Sequence, residues 1–112
     1  MTLEQEKKLV AEFMGWEVGK KPPFPDTVLI YRIGCFPDTN VNVLEPEHWN
    51  PQTDRNAWPE IWDKMGRDFK IEYLDYLRLF LLVDKTHLTL FDYLTASPEV
   101  CWQALIKVLE AK

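Results

Sequence analysis

The chain has few of the residues that usually carry chemistry or bind cofactors. Its 112 residues include two cysteines, two histidines and four glycines. Cys35 and Cys101 are too few for a disulfide framework, and the cysteines and histidines show neither C-x-x-C nor H-E-x-x-H spacing. The glycines are isolated, which excludes the glycine-rich loops that bind nucleotides. We therefore expect no metal and no cofactor.

Long apolar runs are also missing. The longest one, LFLLV at residues 79–83, is far too short to cross a bilayer. The first ten residues, MTLEQEKKLV, lack the apolar core of a signal peptide. These features predict a cytoplasmic protein with no membrane partner.

A strong charge of either sign is absent too. The formal net charge is −5, from 18 acidic and 13 basic residues. A domain that grips the nucleic-acid backbone usually carries a clustered positive face, so nucleic acid is not the expected partner.

What the chain does have is a composition that folds. Hydrophobic residues make up 46% and aromatic residues 13% of the sequence, far from the composition of disordered chains. We predict a single small domain over residues 1–112, as a monomer or weak homo-oligomer.

The two ends of the chain carry helix signals. Thr2 and Gln5 fit a capping box, apolar residues then recur at helical spacing, and Gly15 is placed to end a helix over residues 3–14. Near the other end, Ser97 and Pro98 have the residue types of an N-cap and a first helical position. They predict a helix over residues 98–111.

Between these helices we predict a β-hairpin and two more helices. Residues 19–27, GKKPPFPDT, contain three prolines and predict a break. TVLIYRIG (27–34) and VNVL (41–44) have strand composition and predict a short hairpin near residues 27–44. A helix near 56–65 follows, with Asn56 favoured over Asp54 as N-cap because Pro59 then falls in the first turn.

Residues 69–83 fit two structures. Phe69, Ile71 and Tyr73 alternate with polar residues as in a strand, but the leucine content and a possible N-cap at Asp68 favour a helix. The predicted fold is thus α+β and predominantly helical, with helices near 3–14, 56–65, 69–83 and 98–111. LTLFDYL, residues 88–94, is predicted to add at most one or two helical turns.

No catalytic constellation stands out. Cys35 follows a predicted strand and lacks a family signature for a nucleophile, and His48 beside Glu45 and Glu47 is typical of a solvated acidic loop. The carboxylates are spread over every predicted helix, where their ordinary roles are to cap helix ends, to complement the helix dipole and to form solvated faces. We therefore predict that the protein is not an enzyme.

The tryptophans divide into two groups. Trp58 and Trp62 lie one helical turn apart, so we predict that they face the core together with Trp16 and Trp102. Trp49 stands in a polar loop, where it either covers the start of the next helix or is exposed as a binding hot spot.

Several short motifs resemble a known family. FMGW closes the first helix, WNPQTDRNA precedes a helix that ends in DKM, and LTASPEVCWQALIKVLE closes the chain. This pattern resembles the BC1872-like or phage ABA sandwich domain family of small, uncharacterised bacterial and phage-encoded proteins. The resemblance implies a compact α+β domain of phage or prophage origin and supplies no catalytic residues.

Together these features predict a non-enzymatic accessory or interaction protein with an unknown protein partner. The candidate interaction surface is Trp49, Asn50 and Arg55. The alternative is a nucleic-acid-associated factor in which seven basic residues gather on one face: Lys20, Lys21, Arg32, Arg55, Lys64, Arg67 and Lys70.

Overall fold

The fold is α+β and mainly helical, as predicted. The computed structural model describes residues 1–21, 24–32, 42–84 and 87–112. In these ranges the α-helices are α1 Leu3–Phe13, α2 Trp58–Lys64, α3 Arg67–Leu81, α4 Leu90–Leu94 and α5 Pro98–Glu110. The strands of the same ranges form one antiparallel sheet in the order β1-β2-β3: β1 Glu17–Lys21, β2 Phe24–Arg32 and β3 Asn42–Leu44.

The chain divides into two compact units, Met1–Asn50 and Pro51–Lys112. The N-terminal unit holds α1 and the sheet, and the C-terminal unit holds α2 to α5. The prediction of a single domain over residues 1–112 stays a prediction. Among the described residues, no helix has both the length and the apolarity needed to cross a lipid bilayer.

Both ends of α1 are set by local sequence. The Thr2 amide donates to the Gln5 side chain at 2.8 Å, and the Gln5 amide donates back to the Thr2 hydroxyl at 3.3 Å. At the other end, the amides of Gly15 and Trp16 donate to the carbonyls of Glu12 and Ala11. This pair of bonds is a Schellman motif, and Gly15 supplies its left-handed residue at φ 81°. The predicted capping box and helix end are confirmed.

Gly15→Ala is expected to destabilise the protein by about 1–2 kcal/mol, because a Cβ is strained in the left-handed conformation. Gly66→Ala is the matched control. Gly66 has φ −73°, and no heavy atom lies within 4 Å of the position that a Cβ would take there, so its substitution should cost only the smaller penalty of alanine at an N-cap, about 0.5–1 kcal/mol. Urea unfolding followed by circular dichroism measures both, and equal losses would contradict the left-handed requirement at position 15.

The predicted hairpin is confirmed, but the predicted break at residues 19–27 is wrong. β1 and the start of β2 occupy most of that stretch, with Lys21 paired to Phe24. Among the described residues, β3 pairs only with residues 30–32 of β2, so no described strand needs the N–H that Pro25 lacks on that side of β2. Leu29, Ile30 and Tyr31 are all buried, so the centre of β2 is covered on both faces.

The start of α2 differs from the prediction. Neither Asn56 nor Asp54 is its N-cap, since Ala57 holds that position without a side-chain bond. Asp54 instead caps the preceding 3-10 turn over Arg55–Ala57, where its carboxylate accepts from the Asn56 amide at 3.0 Å. A charged acceptor that bonds two residues ahead favours this turn. α2 then begins at Trp58 with Pro59 in its first turn, and Met65, rather than Gly66, ends it in an extended conformation.

Residues 69–83 are helical, as favoured over the strand. α3 begins at Arg67 with Gly66 as N-cap, so the predicted N-cap Asp68 lies inside the first turn instead, where its charge complements the helix dipole. The short helical segment predicted at 88–94 is present as α4. Thr89 and Asp92 form its capping box. In α5 the Ser97 hydroxyl accepts from the Val100 amide at 3.3 Å, which confirms the predicted cap.

Some predicted features lie outside the described residues. The end of the first predicted strand, the start of the second and the candidate nucleophile Cys35 fall within residues 33–41. In the C-terminal unit α3 packs along α5. The core there includes Tyr73 and Leu77 of α3 with Trp102, Leu105 and Val108 of α5.

A candidate docking groove in the C-terminal unit

The apolar residues of α2 and its end form two rows, Ile61 with Met65 and Trp58 with Trp62, and the two rows have different environments. Ile61 and Met65 are buried, at 1% and 4% exposure. The tryptophans flank Tyr73 instead: the Trp58 ring is stacked on it at 6.3 Å, and the Trp62 ring meets it edge-on at 6.1 Å. Trp62 remains 38% exposed. The prediction that both tryptophans belong to the core is therefore wrong for Trp62, which lies at the surface.

Polar contacts fix these rings in place. The Trp58 indole N–H donates to the Pro51 carbonyl at 2.8 Å, which meets the need of a partly buried indole for an acceptor. The ammonium of Lys70 lies 4.8 Å from the Trp62 ring centroid, within cation–π range. Each ring of this aromatic wall, Trp58 and Trp62, is thus held by a polar contact.

Tyr73 and Cys101 meet beneath this wall. Burial raises the pKa of the Tyr73 phenol, and the neighbouring thiol of Cys101, which is hydrogen-bonded to it, adds to the rise. Burial also raises the pKa of the Cys101 thiol, against the lowering effect of its bond to Tyr73 and of the Arg55 charge. At neutral pH both groups keep their protons, and a protonated thiol is a poor nucleophile.

Two adjoining cavities, of about 570 and 450 Å³, open beside these residues. Both are lined by Trp62, Tyr73, Tyr93, Leu94 and Cys101. We call the combined depression the α2–α4 groove, since α2, α3 and α4 wall it and Cys101 of α5 lies between them.

The two cavities differ in the rest of their lining. Leu74, Leu90 and Arg78 line only the larger one. Trp58 and Arg55 line only the smaller one. Each cavity therefore has one guanidinium beside apolar side chains.

The α4 wall is exposed to an unusual degree. Leu90, Phe91 and Leu94 are 74%, 70% and 69% exposed, although α4 has only five residues. Single exposed apolar residues are ordinary, but a contiguous group beside a cavity is typical of a binding surface.

The predicted interaction residues do not form one exposed patch. Trp49 is only 7% exposed. Its ring meets the Trp16 ring edge-on at 5.4 Å, and the Arg32 guanidinium lies 4.8 Å from the Trp16 centroid. Of the two alternatives for Trp49, the exposed hot spot is therefore wrong.

Asn50 is bound by Lys7, a lysine of α1. Lys7 is 7% exposed, and its ammonium donates to the Pro46 carbonyl at 2.7 Å and to the Asn50 side-chain oxygen at 3.0 Å. The Asn50 amide in turn donates to the Glu47 carbonyl at 2.7 Å. Burial lowers the pKa of Lys7, and the charges of Glu47 and Glu4 oppose that change.

Arg55 is the one member of the predicted surface that lines the groove. It is exposed, and one nitrogen of its guanidinium donates to the Leu94 carbonyl at a long distance of 3.4 Å. Trp49 and Asn50 belong to the N-terminal unit and Arg55 to the C-terminal unit.

The basic residues of the nucleic-acid alternative are divided in the same way. Arg32 and Lys70 each lie over an indole ring, in different units. The side chain of Lys21 is outside the described part of the structure. The expectation that nucleic acid is not a partner stays a prediction.

His48 has the solvated setting that the sequence indicates. Its Nδ1 lies 3.7 Å from a Glu45 carboxylate oxygen, and both side chains are mostly exposed. Within the described ranges, no three histidine, cysteine, aspartate or glutamate side chains lie together as metal ligands would.

Sequence reasoning missed most of the groove. A usable signal was an excess of apolar residues over what one helix face buries. α3 buries Tyr73 and Leu77 but leaves Leu74 partly exposed, and α4 is apolar on more than one side. Such an excess on neighbouring helices indicates a surface that another molecule covers.

Comparison with known proteins gives no match: no family model, no curated protein and no solved structure is similar to this chain. The resemblance to the phage ABA sandwich domain family therefore stays a prediction.

Proposed function

We propose that the chain is a non-catalytic protein-interaction module, of the accessory kind that phage and prophage genomes encode, and that it binds a protein partner in the α2–α4 groove. The observation that carries the proposal is the exposed apolar wall of α4 beside a cavity of about 570 Å³. Covering such a surface removes apolar area from water, at roughly 25 cal/mol per Å².

The chemistry of the groove supports binding over catalysis. Its only described thiol, Cys101, has a raised pKa and is hydrogen-bonded to a phenol whose pKa is also raised. Nucleophilic catalysis needs the opposite, a thiol with a lowered pKa and a base beside it. The groove offers apolar contact area with a few charges in its lining, as interfaces do.

A groove-specific variant tests the proposal. Leu90 is the first residue of α4, where aspartate suits the helix dipole, so Leu90→Asp should fold while placing a charge on the apolar wall. We expect it to weaken partner binding by roughly tenfold or more, because one large apolar side chain contributes about 1.5–3 kcal/mol when it is buried.

Val83→Asp is the matched control, since Val83 is 77% exposed and does not line the groove. Proteins retained by wild type from a host lysate are identified by mass spectrometry, and the affinity of each purified partner is then measured for all three forms. In a Cys35→Ser background the partner should also slow alkylation of Cys101. A partner that binds Leu90→Asp as tightly as wild type and leaves Cys101 reactive would show that the groove is not its site.

A further inference from the structure

The charges that line the groove differ from those of the whole chain. The chain carries a net charge of −5, yet the described lining residues include two arginines and one acid, Asp75. Arg55 lines only the cavity beside Trp58, and Arg78 lines only the cavity beside Leu74. Each of the two cavities therefore has one guanidinium in its lining beside apolar side chains.

Both guanidiniums have donors to spare. Arg78 is exposed and makes no ion pair within the described residues, not even with Asp75 three positions earlier. Arg55 uses one nitrogen for a contact of 3.4 Å to a carbonyl. Guanidinium groups match carboxylates in shape and charge, so a partner with a carboxylate near each end of its apolar face would pair with both.

The backbone of the groove limits the shape of the partner. The described residues of the C-terminal unit, 51–84 and 87–112, contain helices and turns but no strand. A partner segment therefore finds no sheet edge with which to pair. An extended peptide laid on this apolar lining would lose water from the amides and carbonyls that face the lining and would gain no sheet partner for them. A helix satisfies its own backbone and presents only side chains.

We infer that the groove binds a short amphipathic helix of a partner protein, with apolar anchors in the cavities and carboxylates at either end that pair with Arg55 and Arg78. The inference rests on the proposed function and specifies the partner segment. The anchors insert beside Trp62 and Leu90, and the flanking carboxylates set the direction and register of the helix.

A charge-swap selection tests the inference. The probe is a displayed library of helical peptides with apolar residues at positions i, i+3, i+4 and i+7 and with Glu, Gln or Lys at the flanking positions. It is selected against wild type and, separately, against the double variant Arg55→Glu, Arg78→Glu. Wild type should enrich peptides with Glu on both flanks, and the double variant should enrich peptides with Lys.

Affinities of the selected peptides then give the size of the effect. A Glu-flanked peptide should bind the double variant roughly tenfold more weakly, since two attractive charge pairs are replaced by two like-charge contacts. Arg67→Glu is the control, because Arg67 is exposed and lies outside the groove. It should change the affinity by less than about twofold.

The other results are distinguishable. Selected peptides that lose binding on Leu90→Asp but show no preference for Glu over Lys at their flanks would overturn the inferred carboxylates of the partner. The proposed function would still stand. If every selected peptide bound Leu90→Asp as tightly as wild type, the inference that the groove binds a helix would be overturned. A chain that is dimeric by light scattering and made monomeric by Leu90→Asp would assign the groove to a second copy. An apolar small molecule seen by native mass spectrometry in wild type, and absent from that variant, would assign it to a ligand.

Discussion

Replacing Trp102 by alanine is expected to lower the free energy of unfolding by about 3–5 kcal/mol. Trp102 is 4% exposed and lies in α5 beside the buried residues Ala104, Leu105 and Ile106. Its removal loses the burial of a large apolar ring and leaves a cavity that a helix-lined core closes only in part. Folded domains have a net stability of about 5–15 kcal/mol, so this loss is a large share of the total.

Trp62→Ala is the matched control, because it makes the same chemical change on a ring that is 38% exposed. Here the loss should be about 1 kcal/mol, since the ring's main described contacts are one face of Tyr73 and the Lys70 ammonium. Urea unfolding followed by far-ultraviolet circular dichroism gives both values. Equal losses for the two variants would mean that exposure does not separate their roles.

The sequence predicted best what is decided within a few residues. The capping box of Thr2 and Gln5, the Schellman end at Gly15 and the cap at Ser97 each depend on side chains no more than five positions from their partners. Such signals are local, so they can be read without the fold.

Features set by tertiary pairing were missed or misplaced. β1 has one β-branched residue, Val18, and forms because β2 offers it an edge. The prolines around the start of β2 concealed this pairing, since the sequence does not show that the described part of β3 pairs only with residues 30–32 of β2.

The candidate site follows the same division. The spacing of the two tryptophans on α2 predicts that they share a helix face. It does not show whether that face packs against the core or lies at the surface. Exposure of Trp62 is the reverse of what its helix position suggested, and burial of Trp49 decides between the two alternatives that its loop position left open. Only Arg55 joins the predicted surface to the groove.

Lys7 has no special sequence signal, yet its buried ammonium connects α1 to the turn that carries Trp49. Lys7→Ala is expected to destabilise the protein by about 2 kcal/mol, because bonds from a charged donor contribute about 1.5–3 kcal/mol and their loss leaves acceptors unpaired. The ammonium connects α1 to the Pro46 carbonyl and to the Asn50 side chain. The turn that carries Trp49 is thereby fixed to the first helix of its own unit.

Lys8→Ala separates this contact from the general effect of removing a lysine, because Lys8 is adjacent in sequence and exposed. It should change the stability by less than about 0.5 kcal/mol. Lys7→Met separates the bonds from the packing, since methionine keeps an apolar stem but donates no hydrogen bond. If Lys7→Met were as stable as wild type, the bonds to Pro46 and Asn50 would add nothing beyond that stem. A loss in both Lys7 variants with none in Lys8→Ala would establish the buried ammonium as the link between α1 and the turn, since it is then the only group that the two destabilised forms both lack.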